Sequence, residues 1–454
     1  MITIGGALTS IGLIGYIIKN RKSNKLGIDL FMITILASLV FEIGYFAKIN
    51  NTIIEYNYMF SIISFLGLII TYIQKKDINK RDIGIIVGFL VYIAFSIAYP
   101  ILFNQQYIGV SFGDSWDLYF SNKQDLGEVS FSKHSLGMFA RVIMFIIQFY
   151  IFAKNVDKED MVRYSKIFYK VSWGILIFAF LEILITNIID VGTFRKILFF
   201  ILGKTDSTYF IPRIGMGGIY MPMGLMREPS NYVKSLFIFI LNNLFVLYSC
   251  IDKKQKRVIS LSIVMLTVIM FFSNALSGYI YIMAIMFVVL YMLKNKKIKI
   301  GISVVLPVLA LIFILIAKDR LTVLIDSFKV LDMQPKELDV RSELIRLYSI
   351  NNNLRLFFKQ PIFGCGFGTV YCYSAIATLI TNVGLVGIGL YTYIMYYINS
   401  IATKSKKFSY LTLIVLFITN CFIGHMSQII YIETFAFQIV ILKIIELSKK
   451  EKIG

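Results

Sequence analysis

Apolar runs of about 18 or more residues, nearly free of charge, recur along the whole chain; at 1.5 Å per residue each is long enough to cross a hydrocarbon core as an α-helix. The pattern predicts spans at 1–18, 26–46, 53–73, 83–103, 134–153, 167–189, 233–251, 258–273, 276–293, 300–317, 375–398, 410–427 and 430–447. The polar stretches between them alternate in charge. KNRKSNK, KKDINKRD, residues 154–166, DKKQKRV, KNKKIK and TKSKK together hold 23 Lys or Arg, whereas the three short connections on the other side hold one, Lys48. By the positive-inside rule the basic connections and the C-terminal SKKEKIG face the cytoplasm, and the N-terminus faces out. Residues 1–18 lack a basic leader and run directly into KNRKSNK, so they read as the first span rather than a removed signal.

Three longer connections, 104–133, 190–232 and 318–374, then fall on the outer side. None is large enough to stand as a soluble domain. Residues 1–454 therefore read as a single all-α transmembrane domain, a polytopic inner-membrane bundle of about 12–13 spans. Its two large outer loops are 190–232 and 318–374. The first opens with FRKILFFIL, too short to span and flanked by charge, which predicts an interfacial or re-entrant helix. The second contains DVRSELIRLYSINNNLRLFF, whose Leu/Ile spacing predicts an amphipathic helix capped by Asp339. No matched pair of broken helices marks an inverted repeat, which weighs against a transporter.

Composition sharpens this picture. The 454 residues are 57% hydrophobic and 16% charged, against about 25% charged in soluble domains. A net charge of +20 would suggest nucleic acid in a soluble chain, but here it sits in the inter-helix connections and sets topology, so no nucleic-acid partner is expected. Two histidines, His134 and His425, and four scattered cysteines give no metal-ligand cluster, so neither a metal nor another cofactor is expected. Only Cys365 and Cys372 lie close together in sequence.

The candidate chemistry lies in the two large loops. RIGMGGIYMPMGLMREPS, residues 213–230, interrupts the apolar pattern with Arg213, Arg227 and Glu228. Arg213 is followed, after ten residues, by Gly224; in the second loop Arg355 is followed, after ten residues, by Gly366. That loop also carries Arg341 and Arg346 ahead of QPIFGCGFG, in which Gly364, Gly366 and Gly368 could turn the backbone and present N–H groups to an anion. Arginine forks suit phosphate oxygens, so the set predicts a phosphate or pyrophosphate pocket; each arginine alone would equally suit a solvated or headgroup-bound loop charge. Glu228, before Pro229 at the mouth of a span, reads either as a general base or as a helix N-terminal acid. Within spans, Arg141 and Glu182 fall at a similar depth on consecutive antiparallel helices and predict a buried pair, structural or substrate-binding.

MREPSNYVKSLF before a span resembles the Glu-Pro-Ser signature of bacterial O-antigen and capsular polysaccharide polymerases of the Wzy type. VRSELIRLYSINNNLRLFFKQPIFGCGFG followed by ATLITNVGLVGIGLY resembles their second large loop and next span. The resemblance covers organisation over the whole chain and motifs over some 70 residues. It implies a GT-C-like fold in the bacterial plasma membrane with its site facing outside. It also implies transfer of a growing glycan from one undecaprenyl-pyrophosphate carrier onto the nonreducing end of the next lipid-linked repeat unit. Arg213, Arg227, Arg341 and Arg355 would hold the pyrophosphate, and Glu228 would be the base; a chain-length regulator and a flippase would be partners. O-antigen ligases share the loop pattern but place a histidine between the glycine run and the following span. Here that place reads VYCYSAIATL, which favours polymerase over ligase; a lipid-linked oligosaccharide flippase, the alternative from another class, is disfavoured because the polar content is concentrated in the outer loops.

Overall fold

The computed structural model describes residues 2–21, 23–40, 46–49, 52–75, 79–103, 106–107, 127–128, 133–203, 220, 222–226, 229–249, 252–273, 278, 281–286, 289, 350, 353–369 and 374–403. Helices fall on the first six expected spans: α1 (Ile4–Asn20), α2 (Leu26–Val40), α3 (Tyr56–Lys75), α4 (Lys80–Leu102), α5 (Lys133–Asn155) and α6 (Lys158–Leu184). After α7 (Val191–Leu202), three more spans are met by α8 (Pro229–Ser249), α9 (Lys253–Phe272) and α10 (Ala375–Thr403). Among the described residues five stretches are long and apolar enough to cross a membrane: Lys80–Leu102, Ser135–Asn155, Val162–Ile189, Lys253–Phe272 and Ile376–Ile398. The molecule is a mostly helical membrane protein. The expected spans at 300–317, 410–427 and 430–447, most of 276–293, and the segment opened by Asp339 lie outside the described residues.

The structure departs from the expected boundaries in two places. Residues 47–54, expected as a short loop running into a span, form an antiparallel hairpin of β1 (Ala47–Ile49) and β2 (Thr52–Ile54), with Ala47 opposite Ile54. Its β-branched Ile49, Thr52, Ile53 and Ile54 suit strands, and their apolarity is indistinguishable from that of the span they precede. The basic 154–166 connection is helical from Lys158, because Asp157 caps the helix: its side chain accepts the Asp160 N–H, and the Asp160 side chain accepts the Asp157 N–H.

The chain forms two compact units interleaved in sequence. One comprises residues 1–76, 148–310 and 433–454, the other residues 77–147 and 311–432. In the first, Leu13, Tyr56, Phe60, Phe194, Leu198 and Met223 share one apolar core. Polar side chains bond helix to helix. Asn243 Nδ2 donates to Ser172 Oγ at 3.0 Å and to Ser262 Oγ at 3.1 Å, joining α8 to α6 and α9. Gln148 Nε2 donates to the Ser61 carbonyl at 2.7 Å. Such bonds associate helices where lipid removes the hydrophobic drive between them, at about 0.6–2 kcal/mol each.

Helix ends in this unit gather in two clusters. Thr3, Phe46 and Tyr56 meet at one end, where Thr3 Oγ1 lies 3.0 Å from the Tyr56 hydroxyl. Lys25 meets Asp157 and Asp160 at the other. A helix, α7, stands where FRKILFFIL predicts one: its Phe194, Leu198 and Leu202 are buried, while Ile197, Phe200 and Ile201 are exposed. The second unit holds α4, the two-residue strands β3 (Gln106–Tyr107) and β4 (Gly127–Glu128), α5 through Ile147, a helical turn at 353–359, the 360–369 loop and α10.

Candidate functional site

Two described segments dock the ends of the large loops, one in each unit. In the first unit α6 loosens into a π-turn over Ile185–Ile189, where Thr186 Oγ1 donates to the Glu182 carbonyl at 2.6 Å. The buried Glu182 carboxylate then accepts two backbone amides of the first large loop: Met223 N–H at 3.0 Å on one oxygen and Gly224 N–H at 2.9 Å on the other. One turn on, Asn187 Oδ1 accepts the Tyr220 N–H at 2.8 Å. Gly224 is required here: its φ is +60°, and a Cβ would sit 2.6 Å from the Tyr232 ring. The Tyr232 hydroxyl is itself buried and has no hydrogen-bond partner among the described residues. The Glu182 carboxylate is thus held by amides of its own unit, partners that a pattern of residue types does not reveal.

In the second unit, α10 is broken at Gly384, whose φ of 64° and ψ of −170° are not helical. The break frees the carbonyls of Thr381, Asn382 and Val383 and the amides of Leu385 and Val386. The glycine-rich loop and α4 satisfy all five. Cys365 N–H donates to Thr381 O at 2.8 Å and Gly366 N–H to Asn382 O at 2.9 Å. The Tyr92 hydroxyl donates to Val383 O at 2.6 Å. In return Leu385 N–H reaches Pro361 O at 2.8 Å, and Val386 N–H reaches Ile362 O at 3.2 Å. Irregular backbone inside a membrane protein persists only when protein or water completes its hydrogen bonds, and here the loop does so. The approach is close enough that a Cβ on Gly384 would lie 2.2 Å from Ile362 O, and one on Gly364 would lie 2.6 Å from Asn382 O.

This geometry assigns the glycine run a different task from the one its spacing suggested. The amides of Gly364, Cys365 and Gly366 donate to the carbonyls of Gln360, Thr381 and Asn382 rather than being aimed at an anion. Gly368 has a φ of +78°, and its carbonyl accepts the Ser135 hydroxyl at 3.3 Å. Cys365 is fully buried, and burial pushes its thiol up to about 12, with Lys359 pulling weakly the other way. Arg355 is exposed on the 353–359 turn, and Arg141 is half-buried on α5 in the second unit. Arg213, Arg227, Glu228 and Arg341 lie outside the described residues.

Three buried groups escaped the sequence reading. Lys234, on α8 just past the Glu-Pro-Ser motif, is 3% exposed; a lysine two turns into an apolar helix was the available signal. Asn382, beside the α10 break, was signalled only by an Asn-Val-Gly step inside a span. Asp29, on α2, accepts the Tyr16 hydroxyl at 2.7 Å, the Arg163 guanidinium at 2.5 Å and the Tyr164 hydroxyl. Next to this cluster Lys25 Nζ contacts Asp157 at 2.6 Å and Asp160 at 2.9 Å. Hydrogen bonds to Asp157 and Asp160 raise the Lys25 pKa above its usual value. Burial works to raise the Asp157 carboxyl, but the Lys25 hydrogen bond, the Asp160 amide and the Lys25 charge together outweigh it and hold the group below the usual carboxylate range.

The fold and these sites define a polytopic helical membrane protein with two loop ends anchored on membrane helices. Compared with protein-family models and with curated proteins, the chain matches none.

Proposed function

We propose that this protein is a membrane glycosyltransferase that polymerises lipid-linked oligosaccharide repeat units at the outer face of a bacterial plasma membrane. The observation that carries the reading is shared by the two loops. Each Arg-x10-Gly stretch ends on a glycine of positive φ whose amide is bonded to a membrane helix, Gly224 to Glu182 and Gly366 to Asn382. A loop so anchored can hold arginines in a repeatable position over a pyrophosphate without a dedicated soluble domain.

In this reading Arg213, Arg227, Arg341 and Arg355 bind the pyrophosphate of the donor. Glu228 accepts the proton of the acceptor hydroxyl as its oxygen bonds to the donor's anomeric carbon. The bond from that carbon to the pyrophosphate oxygen breaks, and undecaprenyl pyrophosphate leaves with its charge stabilised by the arginines. The sugar is already activated by its pyrophosphate linkage, so the reaction draws on neither a nucleotide sugar nor a redox cofactor. A chain-length regulator and a flippase are the partners such a reaction calls for.

The test replaces the native gene with Arg341→Ala or Glu228→Gln and resolves glycan length on a gel, with membrane levels of each variant checked. Collapse of the ladder to a single repeat unit on its final acceptor supports the proposal. Long lipid-linked chains that never reach an acceptor would identify a ligase instead. Repeat units trapped on the cytoplasmic side would identify a flippase.

A further inference from the structure

The N-terminal end of α6, far along the helix from Glu182, carries an open groove of about 640 Å³ lined by Glu159, Val162, Arg163, Lys166, Ile167 and Lys170. Its charges are not equivalent. Arg163 is already engaged by Asp29 at 2.5 Å and by Asp160 at 3.4 Å. Lys166 and Lys170 are exposed and make no hydrogen bond or ion pair among the described residues. They stand four residues apart, hence one above the other on a single helix face.

The same face continues as an apolar lane. A Cβ on Gly174 would meet nothing within 4 Å. Beyond it Ile177, Leu181 and Leu184 are exposed by 60%, 47% and 36%. Spacings of three and four residues keep all of these on one stripe, and at 1.5 Å per residue Lys166 to Ile177 covers about 17 Å, close to the depth of one leaflet in a hydrocarbon core about 30 Å thick. The span expected from the sequence begins at 167, so Lys166 stands at its edge and Lys170 about 5 Å inside it. Their four-carbon stems return the ammonium groups to the polar boundary, where a lipid phosphate lies.

We propose that this face of α6 is a binding site for one anionic phospholipid. Its headgroup phosphate sits between Lys166 and Lys170, and an acyl chain runs along Gly174 and Ile177. A zwitterionic headgroup would bring its own cation against two ammonium groups, so the site discriminates by charge while the lane supplies contact common to both lipids.

The test is native mass spectrometry of the purified full-length protein. It is titrated with equal amounts of phosphatidylglycerol and phosphatidylcholine carrying identical dioleoyl chains. With about 1 kcal/mol of anionic-lipid attraction per lysine, the wild type should favour phosphatidylglycerol roughly thirtyfold. Lys166→Gln/Lys170→Gln should abolish that preference at an unchanged melting temperature, while Lys253→Gln/Lys254→Gln, in another basic connection, should preserve it. If the double variant is unstable, each single variant replaces it and should cost about fivefold. Equal retention of the two lipids by the wild type would overturn the proposal. So would an equal loss in the control variant, which would reduce the effect to general charge. Displacement of the lipid by millimolar inorganic phosphate would overturn the lipid assignment as well.

Discussion

The 220–226 and 360–369 segments close stretches of the same Arg-x10-Gly form, and each is pinned to a helix of its own unit, yet the partners differ in kind. The first hangs its backbone amides on a side chain, Glu182 of α6. The second exchanges backbone bonds with a helix broken at Gly384, carbonyl for amide in both directions. A side-chain anchor is a local device: it can be removed by one substitution while helix and loop each keep their own hydrogen bonds. A backbone anchor is mutual. Neither the loop nor the break in α10 is satisfied without the other, so the two should form and fail together.

The sharpest way to break this comparison is Gly384→Ala. Alanine would have to hold a positive φ and place a Cβ 2.2 Å from Ile362 O. Backbone strain of this kind costs about 1–3 kcal/mol, and the clash adds to it, so destabilisation on the order of 3 kcal/mol or more is expected. Cys365 reports the event. In a background where Cys250, Cys372 and Cys421 are serine, the buried thiol, with its pKa at about 12, should resist maleimide in the wild type. It should be labelled at least tenfold faster in Gly384→Ala, as about 1.4 kcal/mol of easier opening already implies. Equal labelling rates would show that the loop and the break are not mutually dependent.

Glu182→Ala should have the next largest effect. It leaves two buried amides without an acceptor, and bonds to a charged acceptor contribute about 1.5–3 kcal/mol each, so a loss of about 3 kcal/mol is expected. Glu182→Gln keeps one acceptor oxygen and should lose about half as much. Because the anchor is local, the signature is spatial. Trypsin cleavage at Arg213 or Arg227 should accelerate, while Cys365 labelling stays at the wild-type rate. Accelerated labelling would mean that the two anchors are coupled and that the contrast drawn between them is wrong.

How much of this was legible in the sequence depends on whether side chains or backbone carry the information. Helix positions follow from apolar length, and α7 follows from FRKILFFIL, an apolar run too short to span and flanked by charge. The partners of α6 at its two ends were legible unequally. Lys25 with Asp157 pairs opposite charges from two connections assigned to one side. The ligands of Glu182 are amides, which every residue possesses, so no pattern of residue types points to them. Gly384 posed the same problem, since one glycine in an apolar helix pattern does not announce a positive φ. The β1–β2 pair was hidden because Ile53 and Ile54 read as the start of a span and Ile49 and Thr52 as a short loop before it. Of the candidate site, the spacing of Gly224 and Gly366 from their arginines was readable, and what those glycines bind was not.

The smallest expected effect concerns the opposite ends of the same helices, where the two units again differ. In the second unit the Tyr397 hydroxyl donates to Asp82 at 2.6 Å; in the first, Lys25 bridges Asp157 and Asp160. The Lys25 and Asp157 side chains are 37% and 50% exposed, so solvent screens the pair and its contribution should stay below about 1 kcal/mol. Its pH dependence has a definite sign. The folded Asp157 pKa lies below the ordinary 3.8, so the stabilisation is complete above that value and is lost as pH falls through the folded pKa. The folded Lys25 pKa lies above the ordinary 10.5, so its share is complete below that value and is lost as pH rises through the folded pKa. Lys25→Gln should therefore lower the melting temperature slightly across the plateau between these limits, and the difference from wild type should vanish at both extremes. It should also shrink in 1 M salt, where the screening length falls to about 3 Å. A difference that survived high salt and acid alike would show that Lys25 acts through packing of its stem against α6 rather than through its charge.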